Sequence, residues 1–588
     1  MLDGKQQLNL LRHLNLNQKK SIKNINLYKE RAECSMTFSA QTRKKNIDEL
    51  KNKKLDLLII GGGITGAGIA LQAGARDIKA GMIEMQDFAA GTSSRSTKLV
   101  HGGLRYLKQF DVELVADVAQ ERAVIGKNVP HVVQPSYMLM PVYDEPGASF
   151  NKFSAEVVLH LYDYLAKVDN EWAHYMIDKD KVEAEEPDLR TEGLLGGGFY
   201  LDYTNDDSRL TTEIIKKAHE LGTLITNYVK AVDFIYNDED KIIGVKAEDT
   251  LTGQLFEIHA SVVVNATGPW SDTVRKQLKG NTKKKLFPTK GVHFVVDHSK
   301  IPIDRTIYTD TGMDDNRMIF FIPRSGKTYF GTTDTPFEGE YDDPNITQDD
   351  IDYLLKAANY RFPNTHITLD DIEASWAGLR PLIQDEDNSD PSGISRGHDV
   401  FVSEGGLVSV AGGKLTDYRR MANDTFEMID EELAQFDKFF DQVDTADIRL
   451  SGGDIPEHQT FSEYADEQTE KGMAIGLKED EARALVNWYG TNVETVYSLK
   501  DKITDSELPL KDALQLEYAI EFEMTLLPED FLARRTETLL FDTPRIEKLK
   551  IPLVEHFAKR FNWTDQEKQK WSDQVDKKVA ETTLSQFR

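Results

Sequence analysis

Leu55-Asp56-Leu57-Leu58-Ile59-Ile60-Gly61-Gly62-Gly63-Ile64-Thr65-Gly66 is the stretch that decides the fold. An apolar run meets a glycine turn there and a helical pattern follows. A second short apolar run, Gly81-Met82-Ile83, then ends in Glu84. This order predicts strand, tight turn, helix, strand and acid, the opening of a dinucleotide-binding α/β domain. Gly61 permits the turn, Gly63 lets backbone approach a pyrophosphate, and Gly66 lets the helix pack closely on the strand. The helix N-terminus offers unpaired N–H groups and positive dipole to the phosphates. Glu84 is then placed to accept the hydroxyls of a ribose.

Outward from that stretch, the chain of 588 residues is too long for one core, so several domains are expected. A formal net charge of −28 argues against general nucleic-acid binding, because a phosphate backbone is held by clustered Lys and Arg. The single cysteine, Cys34, excludes a disulfide framework and a Cys-based metal site, and suits a reducing cytoplasm. No metal site is expected. No apolar run is long enough to span a bilayer, which leaves peripheral contact with the cytoplasmic face of a membrane open. Residues 1–36 are rich in Lys, Asn and Gln and lack the apolar stretch of a secretory signal. They read as a disordered leader, or as an upstream extension with Met36 the true start.

The next informative stretch runs from Gly91 to Leu107 and carries Thr92, Ser93, Ser94, Ser96 and Thr97 with three glycines. Small hydroxyl residues compete for backbone hydrogen bonds and bury little apolar area, so they suit a ligand-lining loop better than a core element. Arg95, Lys98, His101 and Arg105 are interleaved in it, against the acidic background. The triplet Gly196-Gly197-Gly198 reads as a lead-in to a strand, and Asn205-Asp206-Asp207-Ser208-Arg209-Leu210 as a polar stretch before a helix near Thr211–Leu221. These segments look like a substrate domain threaded between pieces of the nucleotide-binding one.

The run Ser261-Val262-Val263-Val264-Asn265-Ala266-Thr267-Gly268 predicts a buried strand ending in a glycine turn, the second pass found in many flavin-binding domains. With the earlier glycine motif it makes FAD the favoured dinucleotide over NAD. Several strand-like runs between Pro288 and Thr335 suit an antiparallel sheet under a substrate pocket, with His293 flanked by apolar residues. Arg380 and Arg396 follow, and Arg is suited to bidentate capture of a phosphate. The turn Gly412-Gly413-Lys414-Leu415-Thr416 opens another helix, whose N-terminus could face the pyrimidine end of a flavin. Beyond Ser451 the composition shifts to charged helical segments. The expected division is 1–36, a discontinuous FAD and substrate region over 37–450, and a helical C-terminal domain over 451–588.

These motifs together resemble the FAD-dependent glycerol-3-phosphate dehydrogenases and oxidases of the D-amino-acid-oxidase-like group. They are Ile60–Gly68, Gly91–Leu107, Ala266-Thr267-Gly268-Pro269-Trp270, Gly378-Leu379-Arg380-Pro381-Leu382 and Gly412–Thr416. The resemblance runs from about Met36 to the C-terminus. It implies a Rossmann-like FAD-binding domain, a mixed-sheet substrate domain, and oxidation of sn-glycerol 3-phosphate to dihydroxyacetone phosphate by hydride transfer from C2 to flavin N5. It further implies Gly61, Gly63, Gly66, Glu84, Thr92, Ser93, Ser94, Ser96, Lys98, Gly268, Gly413 and Thr416 at a dissociable FAD, although His101 lies within the motif region where a covalent link would form. Arg380 and Arg396 become the phosphate clamp, with Arg105, Tyr106 and Lys414 near the substrate oxygens. His293 becomes the base, and Arg380 the alternative stabiliser of a developing alkoxide. Oxidases using O₂ and giving hydrogen peroxide look closest. Several of them, however, carry a long insertion after the Arg-Pro-Leu motif, where this chain has only Ile383 to Ile394 before Ser395. That keeps a membrane quinone open as acceptor, and homo-oligomerisation stays open too.

Overall fold

The computed structural model describes residues 38–104, 107, 112–279, 286–313, 315–384, 397–503 and 506–588. Two sheets organise them. The first holds His398–Ser403, Leu407–Gly412, Gln254–Asn265, Leu55–Ile60, Ala80–Ile83 and Leu224–Thr226 in that spatial order. Along that path every neighbouring pair is parallel except His398–Ser403 with Leu407–Gly412, and the sheet's other two strands, Val229–Tyr236 and Ile242–Asp249, join antiparallel through Gln254–Asn265. A parallel strand covered on both faces is largely apolar on both, and Leu55–Ile60 is so apart from Asp56, which is buried and paired with Lys438. Leu57 and Ile59 join the core under the helices Ile64–Ala75, Asp207–Glu220 and Tyr418–Ala434. Leu58 and Ile60 face the helix Arg43–Asn52 and the hairpin Val229–Asp249 on the other side. Truncating any one of these fully buried leucines to Ala would cost about 2–5 kcal/mol.

The second sheet has ten strands and is mixed. Its long members are Gln134–Tyr143, Leu194–Thr204, Leu286–Asp297 and Ile372–Ile383. All pairings are antiparallel apart from Ile307–Asp310 beside Gln134–Tyr143. The glycine triplet is not a lead-in but lies inside Leu194–Thr204. A Cβ on Gly198 would stand 2.3 Å from Leu159 Cδ1, and one on Gly197 2.9 Å from Leu139 Cδ1, so the missing side chains admit neighbouring layers. Asn205 to Leu210, polar in sequence, is buried throughout, and the helix begins at Asp207, capped by Asp206 Oδ1 accepting from Arg209 N at 2.7 Å.

From Phe461 onward the described elements are helical, with Thr460/Glu463 and Thr564/Glu567 closing the N-termini of Phe461–Ala474 and Asp565–Thr582 reciprocally. The final long helix returns to the second sheet, where Ser375 Oγ donates to Thr582 O at 2.8 Å. No helix among the described residues is long and apolar enough to cross a membrane.

Candidate active site

A cavity of about 510 Å³ opens where the strand Leu55–Ile60 ends, at the crevice of the parallel sheet where such folds bind ligands. Gly61, Gly63, Glu84, Thr92, Ser93, Ser96, Gly268, Gly413 and Lys414 line it. Gly61, and Gly66 behind it, are sterically required. Gly61 has φ +114°, and a Cβ there would come 2.5 Å from Ala266 O; a Cβ on Gly66 would come 1.9 Å from Gly61 O. Only a chain without side chains at both points brings turn and helix together, and the cradle so formed fits a dinucleotide pyrophosphate. Gly66, Ser94, Lys98 and Thr416 are not among the lining residues.

The helix over the cradle has Gly63 at its N-cap, so it lacks a side chain of its own to satisfy its first N–H groups. Ser93 does this from another segment, its Oγ accepting from Ile64 N at 2.9 Å. Glu84 Oε2 accepts from Gly62 N at 2.7 Å and Oε1 from Gln86 N at 2.8 Å. These bonds fix the acid at the cavity wall, and burial raises its pKa.

Lys98 is engaged elsewhere than expected. Its ammonium, 1 % exposed, sits 2.7 Å from both Asp207 Oδ1 and Glu537 Oε1 and donates to Ser94 O. The reason is local: Lys98 takes φ +57°, and Asp207 Oδ2 accepts from both Ser96 N and Ser96 Oγ, so the loop folds its lysine inward onto the helix Asp207–Glu220. Asp206, Asp207 and Glu537 are close enough to hold a cation, and that charge is met by Lys98 and Arg324.

Antiparallel register assembles the catalytic candidates. Leu286–Asp297 faces Ile372–Ile383 with Thr289 opposite Arg380, Gly291 opposite Gly378 and His293 opposite Trp376. Because Gly291 has no Cβ, the Arg380 guanidinium crosses over it; a Cβ there would meet Arg380 Nη2 at 2.5 Å. Arg380 donates to Asp334 Oδ1 at 3.2 Å, Thr332 Oγ1 at 3.1 Å and Thr333 O at 3.3 Å. His293 lies two residues along on the same strand face, 2 % exposed, its ring stacked on Trp376 at 4.8 Å and 12°. Its Nε2 is 3.0 Å from Thr97 Oγ1. Burial, then the charges of Arg380 and Lys98, push its pKa well below 6.5, so the ring is neutral near pH 7. Such an imidazole can take a proton, and Arg380 can hold an anion beside it.

Thr92 Oγ1 donates to Leu379 O at 2.7 Å and Trp376 Nε1 to Ser96 O at 3.1 Å, tying the cavity loop to the Arg380 strand. The glycine turn before Lys414 leads first into a short 3₁₀ turn, Leu415–Asp417, and the α-helix starts only at Tyr418. Lys414 nonetheless reaches the cavity wall. His101 is not among the lining residues; it packs edge-on to Phe320 at 5.6 Å, and burial with Lys414 and Arg122 nearby pushes its pKa down to about 3. Arg105, Tyr106, Arg396 and residues 1–36 lie outside the described residues.

Sequence reasoning placed Thr97 in the ligand-lining loop without its partner His293, and missed Trp376 and the Thr332–Asp334 segment, whose roles depend on strand register. It also missed Arg317, whose Nη2 donates to Thr332 O at 3.1 Å. Asp87, Asp207 and Glu537 were missed as well; an acid in so acidic a chain carries no local signal of burial.

A family model described as FAD dependent oxidoreductase matches residues 56–419, and one described as the C-terminal domain of alpha-glycerophosphate oxidase matches 443–568. The chain is 45 % identical to an alpha-glycerophosphate oxidase of Streptococcus pyogenes serotype M6, over 94 % of this chain and 99 % of the relative. It is 44 % identical to an aerobic glycerol-3-phosphate dehydrogenase of Staphylococcus haemolyticus, over 93 % and 98 %. The solved glycerol-3-phosphate dehydrogenase from Bacillus halodurans, complexed with FAD, superposes with a TM-score of 0.79 at 41 % identity, over 93 % of this chain and 98 % of that one. The oxidase alignment, 608 positions, is longer than this whole chain of 588 residues, so it includes stretches of the oxidase that this chain lacks. The dehydrogenase alignment takes 550 positions.

Proposed function

Because this chain belongs to the FAD-dependent oxidoreductases, in the family of alpha-glycerophosphate oxidases and aerobic glycerol-3-phosphate dehydrogenases, we propose that it oxidises sn-glycerol 3-phosphate to dihydroxyacetone phosphate. The observation that carries this reading is the buried His293, stacked on Trp376, near the Arg380 guanidinium that crosses Gly291, on a sheet tied by Thr92 and Ser96 to the wall of the glycine-cradled cavity. FAD, when bound there, supplies the hydride acceptor for C2 at its N5, and O₂ takes the electrons on to hydrogen peroxide.

The chain's own residues do the rest. Gly61 and Gly63 admit the pyrophosphate, Gly66 lets the helix close on the turn, and Glu84 offers its remaining lone pairs to the ribose. Arg380 holds the substrate phosphate. With the substrate so oriented, His293 removes the C2 hydroxyl proton as the hydride departs. Lys414, on the cavity wall, opposes negative charge that builds up on reduction. The clamp makes a selective prediction: under anaerobic conditions glycerol 3-phosphate bleaches the bound flavin and glycerol, which has no phosphate, does not. Equal bleaching by both would remove Arg380 from its role.

A second acceptor is supported by one observation. Against the oxidase this chain lacks whole stretches, while the alignment with the aerobic dehydrogenase fits within its own length. A quinone in place of O₂ would leave the substrate half of the reaction unchanged.

A further inference from the structure

We propose that the C-terminal segment 528–541 is part of the flavin-holding apparatus: it clamps both ends of the cavity loop 87–98, so that FAD binding and docking of this segment are one coupled equilibrium. The proposal rests on the FAD reading above. At one end of the loop, Asp87 is fully buried and accepts from Arg534 Nε at 2.7 Å, Arg535 Nη1 at 2.9 Å and Arg535 Nη2 at 2.8 Å. At the other, Lys98 meets Glu537 at 2.7 Å, with Asp207 sharing the ammonium and Arg324 Nη2 donating to Glu537 Oε2 at 2.6 Å. The helix under the loop is held as well, since Ser208 Oγ donates to Arg534 O at 3.1 Å.

Between the two clamps, Gly91, Thr92, Ser93 and Ser96 form cavity wall, and Ser93 caps the helix over the glycine cradle. Ala89 N also donates to Gly62 O at 3.0 Å, joining the loop to the cradle directly. No residue of 528–541 lines the cavity, so its influence on the cofactor is indirect, through the loop and also through Tyr228, whose hydroxyl donates to Asp530 Oδ1 at 2.7 Å. The clamping stretch Phe531–Arg535 is a single π-helical turn, a rare conformation frequent at functional sites, and it aims consecutive arginines at one carboxylate. Undocking would leave Asp87 and Lys98 buried with partners missing, which a charge tolerates poorly. The loop would then rearrange and the cradle would lose its cap. Coupling is reciprocal: whatever factor docking contributes to FAD affinity, FAD contributes to docking.

Hydrogen exchange read by mass spectrometry on the wild-type holoenzyme and on the FAD-stripped protein tests this. FAD is expected to slow exchange in 528–541 as well as in 61–66 and 84–98. Titration of stripped Arg535→Gln and Glu537→Gln with FAD, followed by flavin fluorescence, is expected to give a dissociation constant raised about tenfold. Asp87→Asn combined with Arg535→Gln should recover part of that loss, because neither charge is then stranded. Protection confined to 61–66 and 84–98, or unchanged affinity in the folded variants, would overturn the proposal. If a variant does not fold, the wild-type exchange comparison decides alone. Failure of stripped wild-type protein to take up FAD at all would instead refute the FAD reading.

Discussion

At the scale of single residues, the chemistry rests on what lies beside His293. By spacing alone it reads as a core histidine, and it is as buried as one. What sets it apart is Arg380 crossing the side-chain-free Gly291 and Trp376 stacking on the ring, both consequences of strand register that no local window contains. His293→Asn is expected to keep FAD bound and slow flavin reduction by glycerol 3-phosphate by about 10²–10⁴, the usual contribution of a general base; stopped-flow bleaching of the flavin absorbance would read it. Because the folded pKa is depressed, the ring stays in its base form as pH falls through 6.5, and the reduction rate should show no break there. A break at that value would place the base elsewhere. Arg380→Lys should weaken substrate binding or turnover with FAD retained, since an ammonium cannot reproduce the fork that also meets Thr332 and Asp334. Loss of FAD from that variant would make Arg380 structural.

At the scale of elements, the strand, turn and helix over residues 55–75 were legible because their signals are local: a strand apolar but for Asp56, glycines at the turn, and an acid at the end of the next strand. The stretch Asn205–Leu210 was not, because its burial depends on partners far along the chain, Glu523 for Arg209 and Arg534 for Ser208. The helix cap was hidden for the same reason, being lent by Ser93. Ser93→Ala is expected to destabilise the protein by about 0.5–2 kcal/mol, the ordinary worth of an N-cap. It should also weaken FAD binding, and thermal melts of the loaded and stripped forms would separate the two effects. An unchanged melt in the stripped form would mean that the helix end finds another cap.

At the scale of the whole molecule, a chain of net charge −28 buries a network of paired charges where its helical C-terminal part meets the cavity loop. Composition announced the acidity; only the fold shows which acids are inside. Asp206, facing Glu537, Asp207, Lys98 and Arg324, is pushed by burial and by Glu537 up to about 7 from an ordinary 3.8. A raised carboxyl pKa favours the fold below the unfolded value and loses that contribution as pH rises through about 7. Asp206→Asn, which can still cap the helix, should therefore flatten the fall in melting temperature between mildly acidic and mildly alkaline pH; an unchanged slope would assign it to other groups. All of this architecture serves one reaction. The most direct test is to reduce the purified protein anaerobically with glycerol 3-phosphate and then mix it with air-saturated buffer. The flavin is expected to bleach with substrate and recover promptly in air with stoichiometric hydrogen peroxide. Recovery only with a quinone analogue would replace O₂ as acceptor, and a flavin that never bleaches would contradict the assignment of the substrate itself.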